Sequence, residues 1–160
     1  MAGFHGWLGR LGRLLAGAPQ DETEAWASGI WNSVFHHCEW EVRRFVSGGA
    51  KVIWRVHFPE CDAGLTPEAP AQLDDLARLL IAGDLAVSID GFGDDPVDEA
   101  ESVRLCAARV RAASARLEAA GVPKDRIKIA FVLGNYHYLV ERDGEAGRAY
   151  NRRIELRPIY

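Results

Sequence analysis

Hydrophobic and polar positions follow two different periods along residues 51–160, and each change of period marks a change from strand to helix. The segment KVIWRVHF at 51–58 is rich in β-branched and aromatic residues, which predicts a strand. Thr66 as capping residue and Pro67 at the first helical position predict a helix that continues to about Ala82, because leucines recur there at helical spacing. LAVSIDGF at 85–92 predicts the second strand.

The second half of this stretch repeats the alternation. Apolar and small residues share one stripe of a predicted helix from Val97 to Ala120, and the stripe consists of Val103, Ala107, Val110, Ser114 and Leu117. Gly121-Val122-Pro123 ends this helix. RIKIAFVL at 126–133 and NRRIELRPI at 151–159 predict two more strands. The order βαβαββ predicts an α/β fold of the α+β sandwich type, with one mixed sheet and two main helices on one face.

Residues 1–50 form a predicted N-terminal extension to this domain of residues 51–160. Apolar residues recur there at helical spacing, which predicts an amphipathic helix with the stripe Phe4, Trp7, Leu8, Leu11, Leu14 and Leu15. The stripe can pack on the chain's own domain, or it can dock on a protein partner or a membrane surface. Residues 26–35 carry a second apolar helical face, and CEWEVRRFV at 38–46 predicts an extra strand that turns into 51–58.

Composition narrows the function classes without naming one. The chain has 160 residues, 48% hydrophobic and 26% charged, with a net charge of −4 and no basic block, so no nucleic-acid partner is expected. Three cysteines without a C-x-x-C spacing argue against a disulfide framework, although one Cys38–Cys61 bridge stays open. No run of 18 apolar residues predicts a transmembrane helix, and Arg10 and Arg13 interrupt what would be the core of a signal peptide.

The stretch SIDGFGDDP at 88–96 carries the most informative chemistry. Gly91-Phe92-Gly93 begins like a dinucleotide-binding fingerprint, but Asp94, Asp95 and Pro96 follow, which repel a phosphate and remove a backbone donor. Paired carboxylates in such a turn suit an ammonium group, a metal ion, or only the positive end of the next helix. A cationic group is therefore the expected ligand, if the turn has one.

Four segments in order, at fitting spacings, make residues 51–160 resemble the OmpA-like C-terminal domain. They are HFPECDAGLTPEA, GFGDDP, RLCAARVRAASARLEAAGVPKDRI and NRRIEL. That family attaches outer-membrane proteins, Pal lipoproteins and flagellar stator proteins to peptidoglycan. The resemblance implies a non-catalytic peptidoglycan-binding module that anchors a cell-envelope component, without a cofactor, in the envelope or periplasm.

The resemblance also implies which residues bind. Matching without gaps from the turn to Gly121 assigns the diaminopimelate residue of the stem peptide to Asp94 and Arg109. A carboxylate for the ammonium group and a guanidinium for the carboxylate together neutralise a zwitterion. Arg109 lies outside the predicted core stripe, on a flank that can face the turn. The candidate ligand-binding set is Asp94, Arg109, Phe92, Gly93, Ser102 and Leu105.

Departures from the family pattern leave an alternative open. The family usually has Thr, Gly, Asn and Ser where this chain has Gly93, Val97, Ser102 and Cys106. Asp94 and Arg109 could also pair only with each other, as a structural ion pair. The second function is then an OmpA-like scaffold or protein-interaction subunit of a larger assembly that no longer binds peptidoglycan. The lack of a clear signal peptide fits that view, with the cytoplasm as the alternative location.

Other arrangements of reactive side chains are poor. The candidate metal ligands in this sequence are His36, His37, Cys38, His57 and Cys61. A metal site is not expected, because adjacent strand positions point to opposite faces, so these side chains cannot all converge on one ion. Asp94 and Asp95 are adjacent in one turn and cannot flank a substrate as an acid/base pair, so no catalytic residue is assigned and the protein is not expected to be an enzyme. In NRR, consecutive arginines face opposite sides, so Asn151, Arg152 and Arg153 are expected to tie the last strand to nearby loops.

Overall fold

Five strands and three helices make up the described part of the chain. The computed structural model describes residues 39–44 and 50–159. The strands are β1 Glu39–Arg44, β2 Ala50–His57, β3 Ala86–Phe92, β4 Ile127–Val132 and β5 Arg153–Ile159. The helices are α1 Ala69–Gly83, α2 Glu99–Ala119 and α3 Gly144–Asn151, with a 3₁₀ turn at Lys124–Arg126 before β4.

The strands form one mixed sheet in the order β1-β2-β5-β3-β4. β5 lies at its centre and runs antiparallel to both β2 and β3, while β3 and β4 are parallel. A parallel pair needs a long crossover connection, which α2 provides. β1 pairs antiparallel with β2, so the predicted extra strand before residues 51–58 is confirmed.

The core lies between the sheet and the helices α1 and α2. Alternate strand residues point to this layer, among them Trp54, Val87, Ile89 and Leu156, and the leucines of α1 meet them. Each fully buried side chain of this size stabilises the fold by roughly 1.5–3 kcal/mol. The prediction of an α/β fold with two main helices and one mixed sheet is confirmed.

Both helix starts differ from the predicted ones. α1 begins at Ala69 with Glu68 at the N-cap. Thr66 lies in a turn before the helix, where its carbonyl oxygen accepts the Ala69 N–H at 3.1 Å. α2 begins at Glu99, where the Asp98 side chain accepts the Glu101 N–H at 2.8 Å. The predicted cap at Thr66 and the predicted start at Val97 are therefore each wrong by two residues.

The buried face of α2 is rotated from the predicted apolar stripe. Val103 is 37% exposed, whereas the buried residues are Ser102, Cys106, Arg109, Val110, Ala113 and Leu117. Polar Ser102 and Arg109 are buried because loops outside the helix supply their partners, which the periodicity of apolar residues does not reveal. Helix α3 was not predicted either, since a segment of eight residues with a single large side chain of partly apolar character, Tyr150, is too short to show a helical period.

Several predictions fall outside the described residues. These are the amphipathic helix at Phe4–Leu15, the apolar face at 26–35 and the predicted turn that joins the extra strand to residues 51–58. Cys61 is a free thiol, and Cys38, the other half of the possible Cys38–Cys61 bridge, also lies outside the described residues. Among residues 39–44 and 50–159, no helix is long and apolar enough to cross a membrane.

Candidate functional site

The turn between β3 and α2 sends its two carboxylates to different partners. Gly93 anchors the turn, because its N–H bonds the Gly134 carbonyl oxygen at 2.6 Å. The Asp94 side chain then bonds the end of α3, while the Asp95 side chain bonds α2. Both carboxylates are buried. The two adjacent carboxylates of the predicted acidic turn therefore belong to two separate sets of contacts.

Arg109 of α2 binds Asp95 through both ends of its guanidinium. Nη1 donates to Asp95 Oδ2 at 2.7 Å and Nη2 donates to Oδ1 at 2.9 Å. Both side chains are 0% exposed. This paired geometry is the one by which arginine recognises any carboxylate. The guanidinium also lies 5.5 Å from the centre of the Phe58 ring, close enough for a cation–π contact.

A segment between β2 and α1 covers the other side of this guanidinium. Arg109 Nε donates to the Asp62 carbonyl oxygen at 2.9 Å, and Nη2 donates to the Pro59 carbonyl oxygen at 3.0 Å. The Cys61 N–H donates to Asp95 Oδ1 at 2.9 Å. Residues 59–62 are themselves exposed, so one layer of backbone separates Arg109 from solvent. We call residues 59–62 the cover segment.

Asp95 is held at its backbone as well as at its side chain. Asn135, in the loop after β4, accepts the Asp95 N–H at 3.1 Å and donates to the Asp95 carbonyl oxygen at 2.9 Å. Burial acts to raise the pKa of the Asp95 carboxyl, but the bonds from Arg109 and the Cys61 N–H and the charges of Arg109 and Arg152 outweigh it, so the pKa is lowered. Asp95 is therefore ionised at neutral pH.

Asp94 lies in a different set of contacts. Its Oδ2 accepts from Asn151 Nδ2 at 2.9 Å, and Arg142 Nε is 2.7 Å from its Oδ1. This second contact is close enough for an ion pair, but it lacks the alignment of a hydrogen bond. Asp94 Oδ1 therefore accepts no hydrogen bond. Arg142 is 48% exposed and lies over the Tyr138 ring at 4.7 Å. Arg142 thus shields Asp94 from solvent much as the cover segment shields Arg109.

Gly93 has no room for a side chain. An added Cβ would lie 2.8 Å from both Asn135 Oδ1 and Ser102 Oγ, and 3.2 Å from Cys106 Sγ. Ser102 Oγ itself bonds Asn135 Oδ1 at 2.6 Å. Ser102 and Gly93 therefore belong to the support of the turn. Burial raises the pKa of the Cys106 thiol, so this side chain is neutral beside Arg109.

Of the two remaining predicted residues, Phe92 lies away from Arg109. Phe92 points to the sheet face opposite α1 and α2, under the Arg153 guanidinium at 4.1 Å, where it lines a cleft of about 350 Å³. Leu105 is half-buried on α2. The predicted flank of α2 does face the turn at Ser102, Cys106 and Arg109, but the structure does not bring Phe92 to it.

One prediction from the sequence is wrong and several partners were missed. Asp94 and Arg109 do not form the alternative structural pair with each other, because Asp95 takes the guanidinium. Asn135 and Arg142 went unnoticed, since each lies about 40 positions or more from its partner and no local pattern marks it. The adjacent residues Asp94 and Asp95 are the one local feature of the sequence that raises the question of which carboxylate binds Arg109.

The closing segment ties the last strand to its neighbours as expected. Asn151 accepts the Leu139 and Val140 N–H groups at 2.8 and 3.1 Å through its Oδ1, beside its bond to Asp94. Arg152 lies over the turn, donates to the Phe58 and Asp94 carbonyl oxygens at 3.4 Å, and pairs with Glu145. Among the described residues, no cluster of His, Cys, Asp or Glu could hold a metal ion.

Comparisons with known proteins place this geometry in a family. The OmpA family model matches residues 57–152, which is more than half of the chain. No curated protein sequence matches. Among solved structures, the peptidoglycan-associated lipoprotein from Burkholderia pseudomallei is 23% identical, with a TM-score of 0.61 over 66% of this chain and 89% of that one.

Two other solved structures extend the likeness. A putative MotB-like protein from Desulfovibrio vulgaris is 22% identical, with a TM-score of 0.63 over 86% of this chain and 94% of that one. The OmpA-like domain of FopA1 from Francisella tularensis is 13% identical, with a TM-score of 0.58 over 75% and 79%. At these identities the similarity shows a shared fold.

Proposed function

Because the chain belongs to the OmpA family, we propose that it is a non-catalytic module that binds peptidoglycan through diaminopimelate and so anchors a cell-envelope component. The similar protein from Burkholderia pseudomallei is itself described as peptidoglycan-associated. One observation carries the proposal: the Arg109 guanidinium already holds a carboxylate through both Nη atoms, one residue away from a second carboxylate.

This arrangement matches the chemistry of the diaminopimelate end group. That group carries an ammonium and a carboxylate on one carbon, so it needs a negative and a positive partner close together. Asp94 is the partner for the ammonium, because its Oδ1 accepts no hydrogen bond and faces only the ion pair with the half-exposed Arg142, which an ammonium could replace. Arg109 is the partner for the carboxylate, because its two parallel N–H groups fit both oxygens.

Binding in this proposal requires two covers to move. Arg109 and Asp94 are both 0% exposed, so neither meets a ligand in the closed arrangement. The cover segment lies over Arg109 through two backbone carbonyl oxygens, and the half-exposed Arg142 lies over Asp94. Both covers lie at the surface, and a stem peptide can displace them without opening the core.

The same burial favours a second candidate function. Arg109 makes four hydrogen bonds to protein acceptors, and breaking them costs free energy that a ligand must supply. If that cost is too large, the Asp95–Arg109 pair serves only the fold. The chain is then an OmpA-like scaffold or interaction subunit that does not bind the cell wall.

The experiment is retention of the intact chain on purified sacculi of the diaminopimelate type and of the lysine type. We expect stronger retention on the first type, because lysine lacks the carboxylate that Arg109 would bind. Asp94→Asn keeps the shape but loses the charge, and Arg109→Lys keeps the charge but loses the paired N–H groups. Each should weaken binding at least about 30-fold, as loss of 2–5 kcal/mol implies.

A matched control removes a remote carboxylate. Asp74→Asn breaks an ion pair with Arg116 that lies between α1 and α2 on partly exposed side chains, and it should bind sacculi like the parent. Each variant's melting temperature shows whether lost binding reflects lost folding. No retention of the parent on either sacculus type would favour the scaffold function, and equal retention on both would contradict the role of Arg109.

A further inference from the structure

Asp95 occupies the place that a ligand carboxylate would take. Its two oxygens fill the paired Nη1 and Nη2 position on Arg109 at 2.7 and 2.9 Å. The other bonds of the guanidinium go to the Asp62 and Pro59 carbonyl oxygens. Arginine has five N–H donors in one plane, and four bonds to protein leave no second paired edge. An external carboxylate can bind this edge only where Asp95 leaves it.

The cover segment is bonded to the same carboxylate. Asp95 Oδ1 accepts the Cys61 N–H at 2.9 Å as well as the Arg109 bond. Cys61 has a φ of 52°, in the left-handed region that non-glycine residues seldom adopt. The backbone bend at Cys61 is thus held by bonds to Asp95 and Arg109. Movement of Asp95 away from Arg109 therefore also breaks one of the three hydrogen bonds that hold the cover segment to these two residues, and so loosens it.

We propose that Asp95 is the residue that determines the affinity of this site, as an internal carboxylate that competes with the ligand for Arg109 and keeps the cover segment closed. This inference rests on the proposed function for the identity of the ligand. A ligand gains the Arg109 bonds only by replacing those of Asp95, so the net gain is smaller than at an unoccupied guanidinium. Removal of the Asp95 side chain should therefore increase affinity, where removal of a purely structural residue would not.

The first test uses acetate as the smallest carboxylate probe. Asp95→Ala leaves a space of about one carboxylate beside Arg109, and acetate should raise the melting temperature of this variant saturably, by roughly 5 °C or more well above its dissociation constant. Acetamide has the same shape without the charge and should give no such rise. The parent should not respond to acetate beyond an equal concentration of chloride, because Asp95 already fills the place.

Asp98→Ala is the matched control for this test. Asp98 is an exposed carboxylate of the same segment that caps α2 and has no arginine partner among the described contacts, so its loss should create no acetate site. If Asp95→Ala is unfolded in buffer, acetate should restore its circular dichroism signal. Asp95→Ser is the second variant, since its hydroxyl can still accept the Cys61 N–H. Absence of any acetate effect on both Asp95 variants would overturn the proposal.

The second test measures retention on diaminopimelate-type sacculi. Asp95→Ala, or Asp95→Ser, should bind at least about tenfold more tightly than the parent. Equal or weaker retention of the variant, with a parent that does bind, would overturn the role of Asp95. If acetate stabilises the variant but neither protein binds sacculi, the proposed function is wrong, while competition for the Arg109 site is supported.

Discussion

The stability contributed by the Asp95–Arg109 pair can be tested by Asp95→Asn. The substitution keeps the size of the side chain but replaces one carboxylate oxygen by an NH₂ group that faces an N–H donor of Arg109. The Arg109 charge then stays buried, at 0% exposure, without its counter-charge. The cover segment also loses part of its attachment, because one of the two oxygens accepts the Cys61 N–H.

The expected loss follows from burial. Removing one partner of a buried ion pair costs about 3–5 kcal/mol, because an uncompensated charge remains. Asn retains one oxygen that can still accept from Arg109, which places the estimate near the lower end, at about 3 kcal/mol. For a domain of this size, about 4 °C per kcal/mol corresponds to a melting temperature lower by roughly 12 °C.

Denaturant unfolding at neutral pH measures this loss directly. Asp98→Asn is the control, because it neutralises an exposed carboxylate of the same segment while Asn caps a helix as well as Asp does, so its effect should stay within about 0.5 kcal/mol. If Asp95→Asn loses no more stability than Asp98→Asn, the buried pair does not support the fold and the reasoning from burial is wrong.

Three further predictions concern acid, the turn and the N-terminus. Since the folded-state pKa of Asp95 lies below its ordinary value of 3.8, its contribution is present above that value and lost as pH falls further, so acid titration should narrow the stability difference between the parent and Asp95→Asn; a constant difference would contradict this. Gly93→Ala should cost about 1–3 kcal/mol in denaturant unfolding, because its Cβ meets Asn135 and Ser102 at 2.8 Å, and unchanged stability would show that these groups move freely. If Phe4–Leu15 packs on its own domain, deleting residues 1–20 should lower the melting temperature by several degrees. If this segment instead binds a partner or a membrane surface, the deletion should leave the melting temperature unchanged but release the protein from that partner or from vesicles. No change in melting temperature or in binding would contradict both.

The alternation of apolar residues determined the layers of this protein. Strand positions in 51–58 and 85–92 and the leucines of α1 were enough to predict one sheet under two helices, because burial of apolar surface is the largest favourable term in folding. Helical spacing also placed Ser102, Cys106 and Arg109 on the flank of α2 that faces the turn, since residues three and four apart share a face.

Only the tertiary structure decided which carboxylate Arg109 binds and what covers it. Asp94 and Asp95 are chemically identical neighbours, and the rotation of their turn depends on Asn135, 40 positions away in the chain. The cover comes from Pro59 and Asp62, 50 and 47 positions before Arg109. These pairings form where loops that are distant in the sequence come together. A hydrogen bond of about 3 Å can then reach one of two adjacent residues and not the other. A local pattern of residue types does not specify the distances between side chains that lie far apart in the sequence. The sequence therefore identified the charged residues, and the fold determined which of them pair.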